Sequence, residues 1–209
     1  MGEELVARFS WTSRGDGDLS GDLSDAHPSW TWLRQVHGAD VVVVTSPGEH
    51  AGAPADAAVT ASPGCRLVVR TADCVPVALL GRRAVGVVHA GWRGLVAGVV
   101  EAALAALADL GGEPVVAHLG PCIRPGCYEF DGPERQRLAE RYGSGVLART
   151  TWGTPAVDLP AAVTAALLGA GVTAVHDEAG CTACDRRWYS HRARVEEERF
   201  ATAAWLEPA

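Results

Sequence analysis

The sequence predicts an α+β fold in a single domain spanning residues 1–209, and three observations lead there. Short runs rich in valine alternate with clusters of Gly, Pro, Asp and Ser, the pattern of strands joined by turns. Alanine- and leucine-rich segments of helical length interrupt those runs without a regular βαβ period. No internal repeat, low-complexity block or linker divides the 209 residues, and a 48% hydrophobic, 21% charged composition supports one substantial core.

Taken in order, residues 5–10 read as a strand, and the Gly, Asp, Ser and Pro content of 13–29 reads as loop. The continuous valine run within 39–45 marks the next strand. A loop bearing Pro47, Gly48, Gly52 and Pro54 follows, and then strands over 57–61, 66–70, 75–80 and 84–89. Residues 95–110, LVAGVVEAALAALADL, are apolar on most faces and stop at Gly111 and Gly112, which predicts one largely buried helix. A strand over 115–119, the loop GPCIRPGC, helices over 134–141 and 160–168, and a last strand over 172–176 complete the pattern. Asp158 stands where it can cap the helix at 160–168, and Gly169 and Gly171 stand where they can stop it.

The formal net charge of −7 and a pI near 5.5 give a field that repels phosphate backbones, so nucleic acid is not an expected partner. All 18 basic residues are arginine. Without lysine there is no P-loop lysine and no Schiff-base chemistry, and anions must be held by guanidinium or backbone N–H groups. Glu3 and Glu4 stand where a signal peptide carries positive charge, and no uncharged stretch reaches the roughly 18 residues of a membrane span, so a cytoplasmic protein is expected. Six cysteines in such a chain suggest thiol or metal chemistry more than disulfides. Cys65, Cys122 and Cys127 also suit small buried apolar positions.

The segment RTADCVPVALLGRRAVGVVHAGWRG carries the chemistry. A two-residue turn at Gly81 and Arg82 pairs Leu80 with Arg83, and the same register sets Cys74 opposite His89 on one face of the sheet. Directly opposed residues have Cβ atoms about 4.5–5.5 Å apart. A thiol and an imidazole so placed can share a metal, form a thiolate–imidazolium pair, or simply lie in the core. After His89 come Ala-Gly-Trp-Arg-Gly and then the predicted helix. Small residues, free N–H groups and the planar fork of Arg93 make an anion site there, the plainer alternative being an ordinary strand-to-helix turn. His37, just before a strand and followed by glycine, would complete a set of three ligands with a fourth position open, the pattern of catalytic zinc. Cys181-Thr-Ala-Cys184, flanked by His176 and His191, offers a competing zinc motif, but its pairing with Cys122 and Cys127 is wider than the usual spacing. Trp188-Tyr189-Ser190-His191-Arg192 supplies an aromatic, a histidine and an arginine suited to covering a ligand.

Several motifs resemble one family. They are Gln35-Val36-His37-Gly38, Thr71-Ala72-Asp73-Cys74-Val75-Pro76, His89-Ala90-Gly91-Trp92-Arg93-Gly94, Gly120-Pro121-Cys122-Ile123 with Cys127-Tyr128-Glu129, and Cys181-Thr182 with Tyr189-Ser190-His191-Arg192. Together, over nearly the whole chain, they are similar to the laccase-domain family, once called multicopper polyphenol oxidases. Phe9-Ser10 with Arg14 resembles its N-terminal Phe-Ser-x-Arg segment, with two extra residues between. The resemblance implies an α+β domain of central β-sandwich-like sheets flanked by helices, with zinc on His37, Cys74 and His89. It implies phosphorolysis of adenosine, inosine, guanosine or methylthioadenosine to base and ribose 1-phosphate, with adenosine deamination as a second activity. Catalytic roles then fall to Cys74, His89 and Arg93, and substrate contacts to Arg93 and Arg192. The expected partners are purine nucleosides and phosphate, without nucleic acid or membrane, for a monomeric protein. Two alternatives remain. A copper-binding polyphenol oxidase would suit a His/His/Cys set, and copper can replace zinc, but a trinuclear cluster would have to come from His27, His50, His118 and His176. A Cys/His hydrolase, with Cys74 as nucleophile and His89 as base, could act in peptidoglycan-precursor editing.

Overall fold

Twelve strands and five α-helices, in a computed structural model that describes residues 4–113 and 115–209, build two large packed sheets, a separate two-stranded sheet and a helical layer; Glu3 lies outside the described residues. The first half contributes β1 (Leu5–Trp11), β2 (Trp30–Trp32), β3 (Val41–Val44), β4 (Ala57–Thr60), β5 (Arg66–Thr71), β6 (Val75–Gly81) and β7 (Val85–Ala90). Helices α1 (Trp92–Ala97) and α2 (Val99–Asp109), strand β8 (Val115–Leu119) and helix α3 (Pro133–Tyr142) follow. The chain continues with β9 (Leu147–Arg149), β10 (Pro155–Val157), α4 (Leu159–Gly169), β11 (Ala174–Asp177), α5 (His191–Arg194) and β12 (Phe200–Pro208).

The six-stranded sheet has the order β11-β8-β6-β7-β4-β3, the four-stranded sheet β1-β12-β5-β2, and β9 pairs with β10 in a small antiparallel sheet apart from both. The two large sheets pack face to face. Their facing sides enclose Leu67, Val69, Val85, Val87, Ala204 and Leu206. The opposite side of the six-stranded sheet, through Val77, Leu79 and Val88, packs on Leu107 of α2 and Leu167 of α4. Covered on both faces, β4, β6 and β7 are almost wholly buried, which is why their sequences are near-continuous apolar runs rather than alternating ones. Truncating Leu107 or Leu167, both fully buried, to alanine would cost about 2–5 kcal/mol each. The α+β class and the sandwich-like sheets with flanking helices agree with the sequence expectation. The Asp158 side chain caps α4 by accepting the Ala161 N–H.

Three expectations need correction. In the β6–β7 hairpin Leu80 faces Val85 and Pro76 faces His89, a register two residues away from the expected one. Gly81 is not a central turn residue: its N–H bonds to Ala84 O, and a Cβ there would collide with the Gly112 carbonyl, so close backbone approach explains this glycine. The helix expected over 95–110 starts earlier, at Trp92, and breaks at Gly98, whose φ of +93° is left-handed. An anion site at the start of that helix therefore has only the six residues of α1 behind it, and side chains must do most of the work. Strands β2, β9, β10 and β12 and the short helix α5 were not expected. Yet β12, the longest strand, fills the middle of its sheet between β1 and β5. The last predicted strand forms two residues later, as β11.

Candidate active site

Three elements bring His37, Cys74 and His89 together. Cys74 immediately precedes β6, His89 lies near the end of β7, and His37 sits in the loop before β3 with a left-handed φ of +60°. Their ligand atoms all lie within 4.8 Å of one another, with His37 Nε2 3.9 Å from Cys74 Sγ. Although the hairpin register differs from expectation, the difference is an even number of residues, so Cys74 and His89 still share a face.

Asp56, fully buried just ahead of β4, organises the set. Its carboxylate meets His89 Nδ1 at 2.8 Å and accepts the N–H groups of His37 (2.9 Å), Gly38 (2.7 Å) and Val36 (3.2 Å). One carboxylate thus fixes the His89 ring, leaving Nε2 free, and holds the loop that presents His37. Gly91 leaves the space they need, since a Cβ there would lie 2.8 Å from His37 Cδ2 and 3.1 Å from Cys74 Sγ. Two imidazoles and a thiol at these separations, with a carboxylate behind one imidazole, fit a borderline-soft divalent ion such as zinc. Burial alone would raise the Cys74 thiol, but the charged His89 and the His37 contact outweigh it and bring its pKa down to about 6. Burial would conversely depress His89, yet Cys74 and Asp56 raise it to about 9. Without a metal, the pair at neutral pH is thiolate and imidazolium.

Asp73, buried and at φ +110°, does not join these donors. It accepts Thr182 Oγ1 and Ser190 Oγ at 2.7 Å each and the Arg192 N–H at 2.6 Å, tying the C-terminal segment to the start of β6. A cleft of about 600 Å³ opens over the cluster, and Arg34, Arg93, Arg192, Trp92 and Tyr128 line it. The Arg93 guanidinium lies over the Trp92 ring at 4.5 Å and that of Arg192 over Tyr128 at 4.9 Å. Burial pushes the Tyr128 hydroxyl up to about 12, so it stays protonated. Arg14 does not line the cleft. It pairs with Glu196 at 2.6 Å and packs over Tyr189.

The model of the family described as multi-copper polyphenol oxidoreductase laccase matches residues 19–207. The chain belongs to that family. Within the laccase family it is 46% identical to purine nucleoside phosphorylase ORF3 of Streptomyces griseus, over 88% of this chain and 76% of that one. It is 37% identical to purine nucleoside phosphorylase Rv2149c of Mycobacterium tuberculosis, over 84% and 72%. The fold matches YlmD from Geobacillus stearothermophilus with a TM-score of 0.79 and 27% identity, covering 97% of this chain and 92% of that one. It also matches the hypothetical protein YfiH of Bacillus licheniformis, with a TM-score of 0.82 at 20% identity, over 98% and 97%.

Among the candidate residues read from the sequence, His37, Cys74 and His89 converge, and Arg93 and Arg192 border the same cleft. Asp56 was missed. A single acid heading the apolar strand AAVT was the available signal, because a charge in that position must be satisfied inside the fold. Cys65 and Cys122 are fully buried as expected, whereas Cys127 is only partly buried, packed against the edge of the core beside Cys181 and Cys184. Neither His176 nor His191 joins that group. His118 and His176 stack at 4.8 Å, while His27 stacks on Trp30 instead of joining them. No helix is long and apolar enough to cross a membrane among the described residues.

Proposed function

We propose that the chain is a zinc-dependent purine nucleoside phosphorylase, converting adenosine, inosine, guanosine or methylthioadenosine to the base and ribose 1-phosphate, with adenosine deamination as a second activity. The supporting observation is the His37, Cys74 and His89 set beneath an arginine-lined cleft, in a chain related at 37–46% identity to proteins named purine nucleoside phosphorylase. Phosphorolysis forms a bond from a phosphate oxygen to C1′ of the ribose and breaks the bond from C1′ to the purine, which leaves with a proton. Arg93 lies over Trp92 rather than against a carboxylate, so its fork is available to phosphate, and Arg34 and Arg192 add positive charge along the cleft. Trp92 and Tyr128 contribute aromatic surface to the cleft, against which a purine ring can pack. Asp56 fixes His89 and the His37 loop, so the ligands need little reorganisation. Zinc on these three residues would supply Lewis acidity near neutral pH. Copper could occupy the same donors in its place. The location best suited to these substrates is the cytoplasm, and a monomer suffices because one chain supplies the whole donor set.

One observation favours a second reading. Cys74, His89 and Asp56 form a thiolate, imidazolium and carboxylate series, which is also the arrangement of a cysteine nucleophile with its base and orienting acid. Product analysis separates the two. Metal-defined protein incubated with adenosine should give adenine and ribose 1-phosphate only when phosphate is present, and inosine by deamination without it. No base release at any phosphate concentration would overturn the phosphorylase proposal, and undiminished activity in verified metal-free protein would favour the nucleophile.

A further inference from the structure

A second donor cluster lies outside the cleft. Cys122 and Cys181 form an isolated parallel β-bridge, supported by Cys122 N–H to Gly180 O and Thr182 N–H to Cys122 O, both 3.1 Å. This bridge sets the 3-10 turn Pro125–Cys127 against the Cys181-Thr-Ala-Cys184 turn. The sulfurs of Cys127, Cys181 and Cys184 then lie within 4.8 Å of one another, and Cys127 and Cys184 are 3.2 Å apart without a bond. We propose that Cys127, Cys181 and Cys184 form a second metal site, which takes a thiophilic d10 ion, zinc foremost, and staples two walls of the cleft together.

The donor geometry favours an ion over a disulfide. Zn–S bonds of about 2.3 Å in a tetrahedron place sulfurs roughly 3.8 Å apart, so small side-chain rotations accommodate all three around one centre. A disulfide between Cys127 and Cys184 would leave the third converging sulfur without a role. Backbone N–H groups of Arg124, Cys184 and Ala183 are directed at the Cys181 sulfur. Donation from the N–H groups within a Cys-x-x-Cys turn to its first sulfur is what a metal-bound thiolate needs to spread its charge. Cys184 is exposed, which gives an ion a way in and leaves a fourth position facing solvent.

The placement makes this a positioning site. Cys127 precedes Tyr128 in the cleft wall, and Thr182, inside the motif, bonds Asp73 next to Cys74. The same segment leads into Arg192, whose N–H also bonds Asp73. Fixing the three sulfurs fixes the spacing of Tyr128, Arg192 and the start of β6, so loss of the ion should raise the nucleoside KM several-fold and leave kcat nearly unchanged.

Cobalt(II) added anaerobically to a Cys74→Ser variant, in which the first cluster is disabled, tests this separately from the proposed activity. One equivalent should bind with intense thiolate-to-cobalt absorption, and peptide mapping should show Cys127, Cys181 and Cys184 protected from iodoacetamide. Cys127→Ser in that background should abolish both signals. In the otherwise native chain, Cys184→Ser should lower the zinc content by one equivalent while Cys74 stays protected, a readout that does not depend on the Cys74 variant folding. Alkylation of all three cysteines at the metal-free rate under saturating cobalt, or an unchanged zinc content in Cys184→Ser, would overturn the proposal. So would recovery of a Cys127–Cys184 disulfide from cells quenched directly in alkylating denaturant.

Discussion

The two donor clusters have equal numbers of ligands and opposite surroundings. His37, Cys74 and His89 project from the edge of the central hairpin and its neighbouring loop, with the buried Asp56 behind them and an arginine-lined cleft in front. Cys127, Cys181 and Cys184 sit on turns, with backbone N–H groups behind Cys181 and solvent beside the exposed Cys184. A carboxylate behind an imidazole tunes its basicity and orientation, and a cleft admits substrate; backbone donors behind a thiolate only steady it. On the proposed functions, what surrounds the ligands, more than the ligands themselves, separates a centre built for chemistry from one built to hold two loops together.

The largest expected difference between them comes from single substitutions. Cys74→Ala should lower kcat/KM for phosphorolysis by on the order of a thousandfold, comparable to losing a major electrostatic contribution to the transition state. Cys184→Ala should change kcat by no more than about twofold, since no reacting atom lies near it. Equal losses in the two variants, measured by steady-state kinetics, would erase the distinction. Asp56→Asn keeps the shape but loses the carboxylate charge, and it should weaken metal binding by about 10–100-fold in a chelator competition. Arg93→Lys should raise the phosphate KM by about tenfold with little change for nucleoside, because an ammonium cannot reproduce the planar fork. An unchanged phosphate KM would remove Arg93 from the anion site.

The smallest effect concerns Glu196, which anchors the segment that carries both Arg192 and the Cys-x-x-Cys turn. Burial would raise its carboxyl, but the Ser190 N–H, Arg14 and Arg194 outweigh this and lower it from 4.5 to about 2. A carboxylate with a depressed folded-state pKa adds stability that is fully present above its unfolded value and disappears as pH falls through the folded one. Glu196→Gln should therefore cost about 1 kcal/mol at pH 7, with the gap from wild type narrowing between pH 4.5 and 2. Thermal unfolding across that range measures it, and a gap that widened on acidification would contradict the assignment.

How much of this was legible in the sequence follows from which interactions are local. Cys74 and His89 could be placed on one face despite an incorrect hairpin register, because strand faces repeat every two residues and the shift was two. Arg93 was readable from its place just beyond the hairpin. Gly98 was not readable as a helix break, since an apolar, alanine-rich stretch tolerates one glycine and only the left-handed φ, with the Arg141 side chain against it, reveals its role. β12 escaped because its alanines carry little strand propensity on their own; β1 and β5 on either side make it a strand. Cys127 and the Cys-x-x-Cys motif lie more than fifty residues apart, and only the bridge at Cys122 and Cys181 brings them together.

The central claim, that activity depends on a metal held by His37, Cys74 and His89, is tested most directly by alkylating Cys74 while activity is followed. A coordinated thiolate reacts slowly, whereas a free thiolate beside an imidazolium reacts fast. In zinc-loaded protein Cys74 should resist iodoacetamide. Chelation should remove its protection and the phosphorolytic activity together, and added zinc should restore both. Rapid labelling of Cys74 in the fully active, zinc-loaded protein, or full activity after verified removal of the metal, would contradict the claim.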